Sequence, residues 1–194
     1  MAAASAKNKA RKREWLNIGA QCVEFTPGQP EVVVLPQAWW EAGRLDNQRF
    51  MYRTVAHEST HLAQYAASQG QVWADMDTYF PQLRGTAGRD YGFLVEGHAY
   101  WADREVTTKI LGEPEPTTGL TPRAGSLRYR AVAEAQQTKE AVAFVERARD
   151  NTGKIINAYG IDAFNRVWTS RDLVPTSEET DDAIAIWQAR FGSL

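Results

Sequence analysis

Apolar residues form short runs near the start of the chain and recur at helical spacing after it. Residues 31–35 (EVVVL) are a β-branched run bracketed by Pro30 and Pro36, the strongest strand signal present. Residues 23–26 read as a second, short strand, and Pro27-Gly28 marks a turn between the two, which predicts a hairpin. Beyond Pro36 the period becomes helical. Asp46 or Asn47 is placed to cap a helix running to about Ser68 and ending near Gly70, with Phe50, Val55, Leu62 and Tyr65 as its apolar side. A Gly- and Pro-rich loop over about 80–89 leads to a second long helix over about 91–111, closed by Gly112 and Pro114. Residues 113–122 hold three prolines and read as a linker. Residues 126–150 are Ala-rich, with Val132, Ala135, Val142 and Val145 near helical spacing. Residues 157–168 read as another helix, interrupted by Gly160. Thr176-x-x-Glu179 is a capping box for a last helix ending near Phe191. The fold class predicted is α+β, mostly α-helical, with a small N-terminal β-sheet. A flexible basic tail (1–14) precedes a single domain (15–194), whose part after the linker (123–194) is helical.

Composition narrows the function. A chain of 194 residues suffices for one domain with a real core, and seven Trp argue against disorder. A net charge of -2 does not suit a nucleic-acid partner. No stretch approaches the roughly 18 apolar residues of a membrane span, and no apolar run of signal-peptide length follows the basic start. The expectation is therefore a cytoplasmic protein without a membrane partner, in which Lys7, Lys9, Arg11, Lys12 and Arg13 form a solvated tail. Cys22, the one cysteine, allows neither an intramolecular disulfide nor a cysteine metal cluster, and reads as a small, partly buried hydrophobe. Trp39-Trp40 is read as core.

The chemistry lies in His57-Glu58-Ser59-Thr60-His61, a match to H-E-x-x-H. On a helix, residues four apart share a face one turn apart, so the two imidazoles reach a single cation. Glu58, turned about 100° from His57, reaches the open side of that cation and accepts a proton from water there. Zinc at such a site lowers the pKa of its water from about 15.7 to roughly 7. A catalytic zinc takes three protein ligands, and the extended pattern with a third His fails, because position 64 is Gln and position 67 is Ala. Glu96, in Leu94-Val95-Glu96-Gly97-His98-Ala99, is the best third ligand. It follows three apolar residues, where a buried carboxylate needs a partner. Gly97 and Ala99 would let the two long helices approach closely. His98 is the rival ligand, but two residues on it points away, which leaves it a substrate-side, ligand-supporting or packed structural group. Asp103 reads as a surface aspartate, with orientation of a ligand histidine as the alternative.

HESTH on one helix with VEGHA on a later one resembles the gluzincin branch of zincin metallopeptidases. More closely it is similar to an actinobacterial family of zincin-like, zinc-dependent metalloproteases. The likeness runs in pieces through VVVLP (32–36), FMYRTVAHESTHLAQY (50–65), LVEGHAYWAD (94–103) and GIDAFNRVWTSRDLVPTSEE (160–179). The resemblance implies zinc on His57, His61 and Glu96, Glu58 as base, and a small sheet above the active-site helix whose edge strand lines the substrate cleft. Many gluzincins carry an Asp four residues after the ligand Glu. Here that position is Tyr100, and the nearest acid is Asp103. Members of the family are also longer between the two helices.

The function expected is a zinc metallopeptidase that cleaves a peptide or protein substrate, with Glu58 deprotonating the attacking water. Tyr91, Tyr100, His98 and Arg128 are candidate donors to the developing oxyanion. Two other readings compete with it: a zinc-holding scaffold of the same fold, and a zinc hydrolase of a non-peptide amide. The C-terminal helices, with Trp168 and Trp187, are expected to brace the active-site helices.

Overall fold

The computed structural model describes residues 19–74, 88–116, 127, 129–130, 138–181 and 184–193. The basic tail, most of the loop over 80–89, Arg128, Val132 and Ala135 lie outside the described residues. The described chain is mostly helical with one two-stranded antiparallel sheet. β1 (Ala20–Thr26) pairs with β2 (Gln29–Val34) around the Pro27-Gly28 turn, and Gly28 takes the positive φ (79°) that the turn requires. A short helix α1 (Pro36–Glu41) follows with its proline in the first turn, where no N–H is missed. Trp39 is buried beneath it and Trp40 is 61% exposed, so the tandem tryptophans divide between core and surface.

Three 21-residue helices carry the rest: α2 (Gln48–Ser68), α3 (Tyr91–Leu111) and α4 (Lys139–Tyr159). The Asn47 side chain caps α2 by accepting from the Phe50 N–H at 3.0 Å, and Asp90 caps α3 likewise through Phe93 at 2.9 Å. α2 ends on Gln69 in the left-handed region, followed by Gly70 with φ 78°; α3 ends on Gly112. α3 is the central helix, packed on α2 along one side and on α4 along the other. Its first half is buried almost all round, as a helix between two others must be.

Two expectations are corrected here. α4 runs unbroken through residues 150–157, where separate helices were expected. Its internal Gly153 lies close against Trp101, since a Cβ there would stand 3.1 Å from that ring. Gly97 permits close approach to α4 rather than to α2: an added Cβ would lie 2.6 Å from the Ala148 carbonyl oxygen. The start of the supposed linker is also tied down. Glu115 is buried, its backbone N–H donates to Thr107 Oγ1 at 3.2 Å, and its carboxylate pairs with Arg49 at 2.9 Å.

After α4 the chain makes α5 (Ile161–Asn165), two 3-10 turns (Arg166–Trp168 and Arg171–Leu173), α6 (Ser177–Asp181) and α7 (Ile184–Gly192). The capping box forms as expected. Thr176 N–H donates to Glu179 at 2.7 Å, and Glu179 N–H returns to Thr176 Oγ1 at 3.3 Å. Phe93, Leu94 and Val95 of α3 join Ile155, Phe164, Trp168, Val174 and Trp187 in one apolar core. Asp90 N–H donates to the Pro175 carbonyl and Arg89 to the Val174 carbonyl, both at 2.7 Å, so the C-terminal segment pins the start of α3. No helix among the described residues is long and apolar enough to cross a membrane.

Gly97→Ala is expected to lower stability by about 1–3 kcal/mol despite its better helix propensity, because the obstruction is backbone. Gly153→Ala meets only an aromatic ring and should stay within about 1 kcal/mol of wild type. Urea unfolding midpoints of the two variants check this, and equal midpoints would contradict the packing described.

Candidate metal centre

α2 buries a polar face. Thr54, Glu58, His61, Gln64 and Ser68 point inward, whereas Val55, expected on the apolar side, is 55% exposed. Spacings of four, three, three and four residues keep these five on one stripe. The stripe lies against α3, and most of its side chains find partners within the protein.

His57 and His61 are one turn apart on α2, with ring centroids 4.8 Å apart. Glu96 reaches them from α3. Its carboxylate oxygens lie 3.5 Å from His57 Nε2 and 3.8 Å from His61 Nε2. One donor atom from each of the three residues fits within 4.8 Å of the other two. Three donors about 2.1 Å from one tetrahedral ion sit roughly 3.4 Å apart; the two contacts to Glu96 are near that spacing, so the set could hold a zinc-sized cation if the donors drew together. The Glu96 side chain is about one-third exposed (36%), which leaves the group open to solvent on one side.

Each imidazole is held from behind. His57 Nδ1 is 3.1 Å from Asp103 Oδ2, and Asp103 is fully buried. The surface-aspartate expectation for Asp103 is thus overturned. At seven residues from Glu96 it lies on the same face of α3, two turns on, beneath His57. Burial opposes protonation of His57, but the Asp103 and Glu96 carboxylates outweigh it and lift its pKa to about 9. A cation binding here displaces that proton. Burial raises the Glu96 pKa, yet His57, His61 and the Tyr100 hydroxyl bring it below the ordinary carboxylate value. Tyr100 donates to Glu96, its ring lies 4.7 Å from that of His57, and burial with the Glu96 charge keeps its hydroxyl protonated.

Glu58 is buried against the hairpin, where its carboxylate accepts the backbone N–H of Cys22 on β1. Burial raises its pKa, and the neighbouring His57 and His61 oppose the rise. Cys22 is itself buried, and burial with the Glu58 charge pushes its thiol up to about 11, so it is a packed, un-ionised group as expected. Tyr65 also ties α2 to the hairpin, donating to Glu24 at 2.8 Å.

His61 Nδ1 is 2.9 Å from Gln64 Oε1, a contact unforeseen from sequence although the residue sits three positions along the same helix. Gln64 Nε2 donates to the Val95 carbonyl at 2.9 Å and lies 3.2 Å from His98 Nδ1. His98 thus faces away from the three donors. It stacks on Trp101 (5.9 Å, 13°) and packs on Phe164 and Trp168. Burial, then the His61 charge, lowers its pKa to about 4. Trp73, also unforeseen, sets its ring 6.2 Å from that of His61. Of the proposed oxyanion donors, Tyr91 belongs to the core, Arg128 lies outside the described residues, and Tyr100 is at the group. A separate cavity of about 400 Å³ opens near Ser68, Tyr91, Trp168 and Arg171, and none of the three donors lines it.

His98 gives a stability signature. Its folded pKa (about 4) is below the ordinary histidine value of 6.5, so between these values the unfolded chain binds more protons. Stability is complete above about pH 6.5 and falls as pH drops toward 4. Chelator-treated wild type should lose roughly 2 kcal/mol more between pH 7 and 5 than His98→Asn, which keeps an acceptor for Gln64 but does not titrate. Equal losses in urea unfolding would contradict a buried neutral His98.

Compared with known proteins, the chain matches no family model, no curated protein and no solved structure.

Proposed function

We propose that the chain is a zinc-dependent hydrolase of zincin type and acts as a metallopeptidase, with the metal on His57, His61 and Glu96. The observation that carries this reading is the convergence of those donors from two helices, with Nε2 of both imidazoles toward Glu96. Two nitrogens and one carboxylate, open on one side, suit a catalytic rather than a closed structural site. When bound, zinc polarises the scissile carbonyl and acidifies water.

The chain's residues supply the rest. Glu58 takes the proton from the attacking water and passes it to the leaving amine. Its raised pKa makes it a better base than an exposed glutamate, and the Cys22 N–H fixes the orientation of its carboxylate. The protonated Tyr100 hydroxyl beside Glu96 is the donor available to charge developing on the carbonyl oxygen. Asp103 holds His57 with Nε2 turned toward Glu96. A scaffold that merely held zinc would need no buried carboxylate beside the metal ligands, which favours the enzyme reading.

Glu58→Gln is expected to keep its zinc and lose hydrolysis of a peptide library by at least about 100-fold. Wild-type rates in that variant would remove Glu58 from the mechanism. A zinc-loaded wild type inactive on every library would favour the scaffold. Asp103→Asn should weaken zinc binding by about 10–100-fold in chelator competition, and unchanged affinity would contradict its role.

A further inference from the structure

We propose that Gln64, anchored by Val95 and His98, is a tautomer lock that keeps the proton of His61 on Nδ1 and leaves Nε2 bare toward Glu96 before any metal arrives. This rests on the proposed function only for its purpose; the lock itself is a property of the metal-free protein.

Gln64 is 1% exposed, so its amide must satisfy its hydrogen bonds within the protein. The bond to the Val95 carbonyl fixes which way the amide faces, because a carbonyl oxygen only accepts. Reversing the amide would set two carbonyl oxygens against each other in a buried site. The nitrogen's second contact, His98 Nδ1 at 3.2 Å, agrees: that ring nitrogen accepts, and the His98 proton is on Nε2. The amide oxygen therefore faces His61 Nδ1 at 2.9 Å, and a nitrogen opposite an acceptor must carry the hydrogen. With Nδ1 protonated, the lone pair of His61 is on Nε2, the atom 3.8 Å from Glu96.

The two imidazoles are thus prepared differently. His57 is backed by a buried carboxylate, whereas His61 is backed by a neutral amide. The amide is referred in turn to His98, whose ring is packed on Trp101, Phe164 and Trp168. The apolar core of the C-terminal half thereby sets the proton position on a residue of α2. Gln64 is a positioning residue that acts through His61.

Long-range proton–nitrogen correlation spectra of the histidine rings read the tautomer directly. In metal-free, full-length wild type, His61 is expected as the Nδ1–H form. Gln64→Met, of similar length without an acceptor, should lose that form and weaken zinc binding by about 10–100-fold in chelator competition. Gln64→Glu keeps an acceptor oxygen toward His61 but sets its other oxygen against the Val95 carbonyl, so it should recover the Nδ1–H form at a cost in stability, which a purely structural role would not predict. An Nε2–H His61 in the wild type overturns the lock, whatever the variants do. So does an unchanged tautomer in Gln64→Met. A locked wild-type tautomer lost in Gln64→Met, with no zinc bound by either protein, would support the lock and refute the proposed function instead.

Discussion

The site depends on the burial of a polar helix face. α2 turns Glu58, His61 and Gln64 toward the protein and leaves Val55 in solvent, the reverse of what amphipathicity alone dictates. Such a face is tolerable only where its polar groups find partners, since an unpaired buried donor or acceptor costs about 1–3 kcal/mol. Asp103 meets His57, Gln64 meets His61, the Cys22 N–H meets Glu58, and the Val95 carbonyl meets Gln64. Each partner removes a rotamer choice. The requirement that makes the face affordable also places two imidazole nitrogens and a carboxylate within reach of one cation.

That arrangement explains the division of the chain into a chemical half and a supporting half. α2 and the first half of α3 carry the donors, with the hairpin held on α2 through Glu58 and Tyr65. The apolar core sits on the far side, between α3, α4 and the C-terminal turns. Two of the contacts that join the halves lie beside the site: Gly97, where the α4 backbone comes within van der Waals reach of α3, and His98, whose ring is gripped by Trp101, Phe164 and Trp168. The bracing expected of Trp168 therefore acts on the site through His98 and Gln64. Trp187 supports more remotely, through its bond to the Leu173 carbonyl and its packing on Phe93.

What was legible in the sequence was local. The hairpin, the Asn47 cap, the span and Gly112 stop of α3, and the Thr176–Glu179 box follow from residues within a few positions of one another. The pairing of His57 with His61 was legible for the same reason, because helix periodicity alone brings them together. Glu96 required a guess about which helix packs on which, supported by its apolar neighbours and a resemblance to zincins. The rest was set by packing between distant segments. Nothing near Asp103 announces that it is fully buried, and the close contact of Gly153 with Trp101 joins residues far apart in the chain. Gln64 was in view as the residue that broke a three-histidine pattern. Its role needs the Val95 carbonyl, a group common to every residue and so silent in sequence.

The central claim is that His57, His61 and Glu96 together hold one metal ion. Metal content by plasma mass spectrometry, on untagged wild type beside His61→Ala and Glu96→Ala, tests it most directly. The account predicts about one zinc per wild-type chain, with the metal lost from both variants while their helical content is kept. Wild type that takes up no metal after incubation with zinc, or variants that retain it in full, would contradict the account.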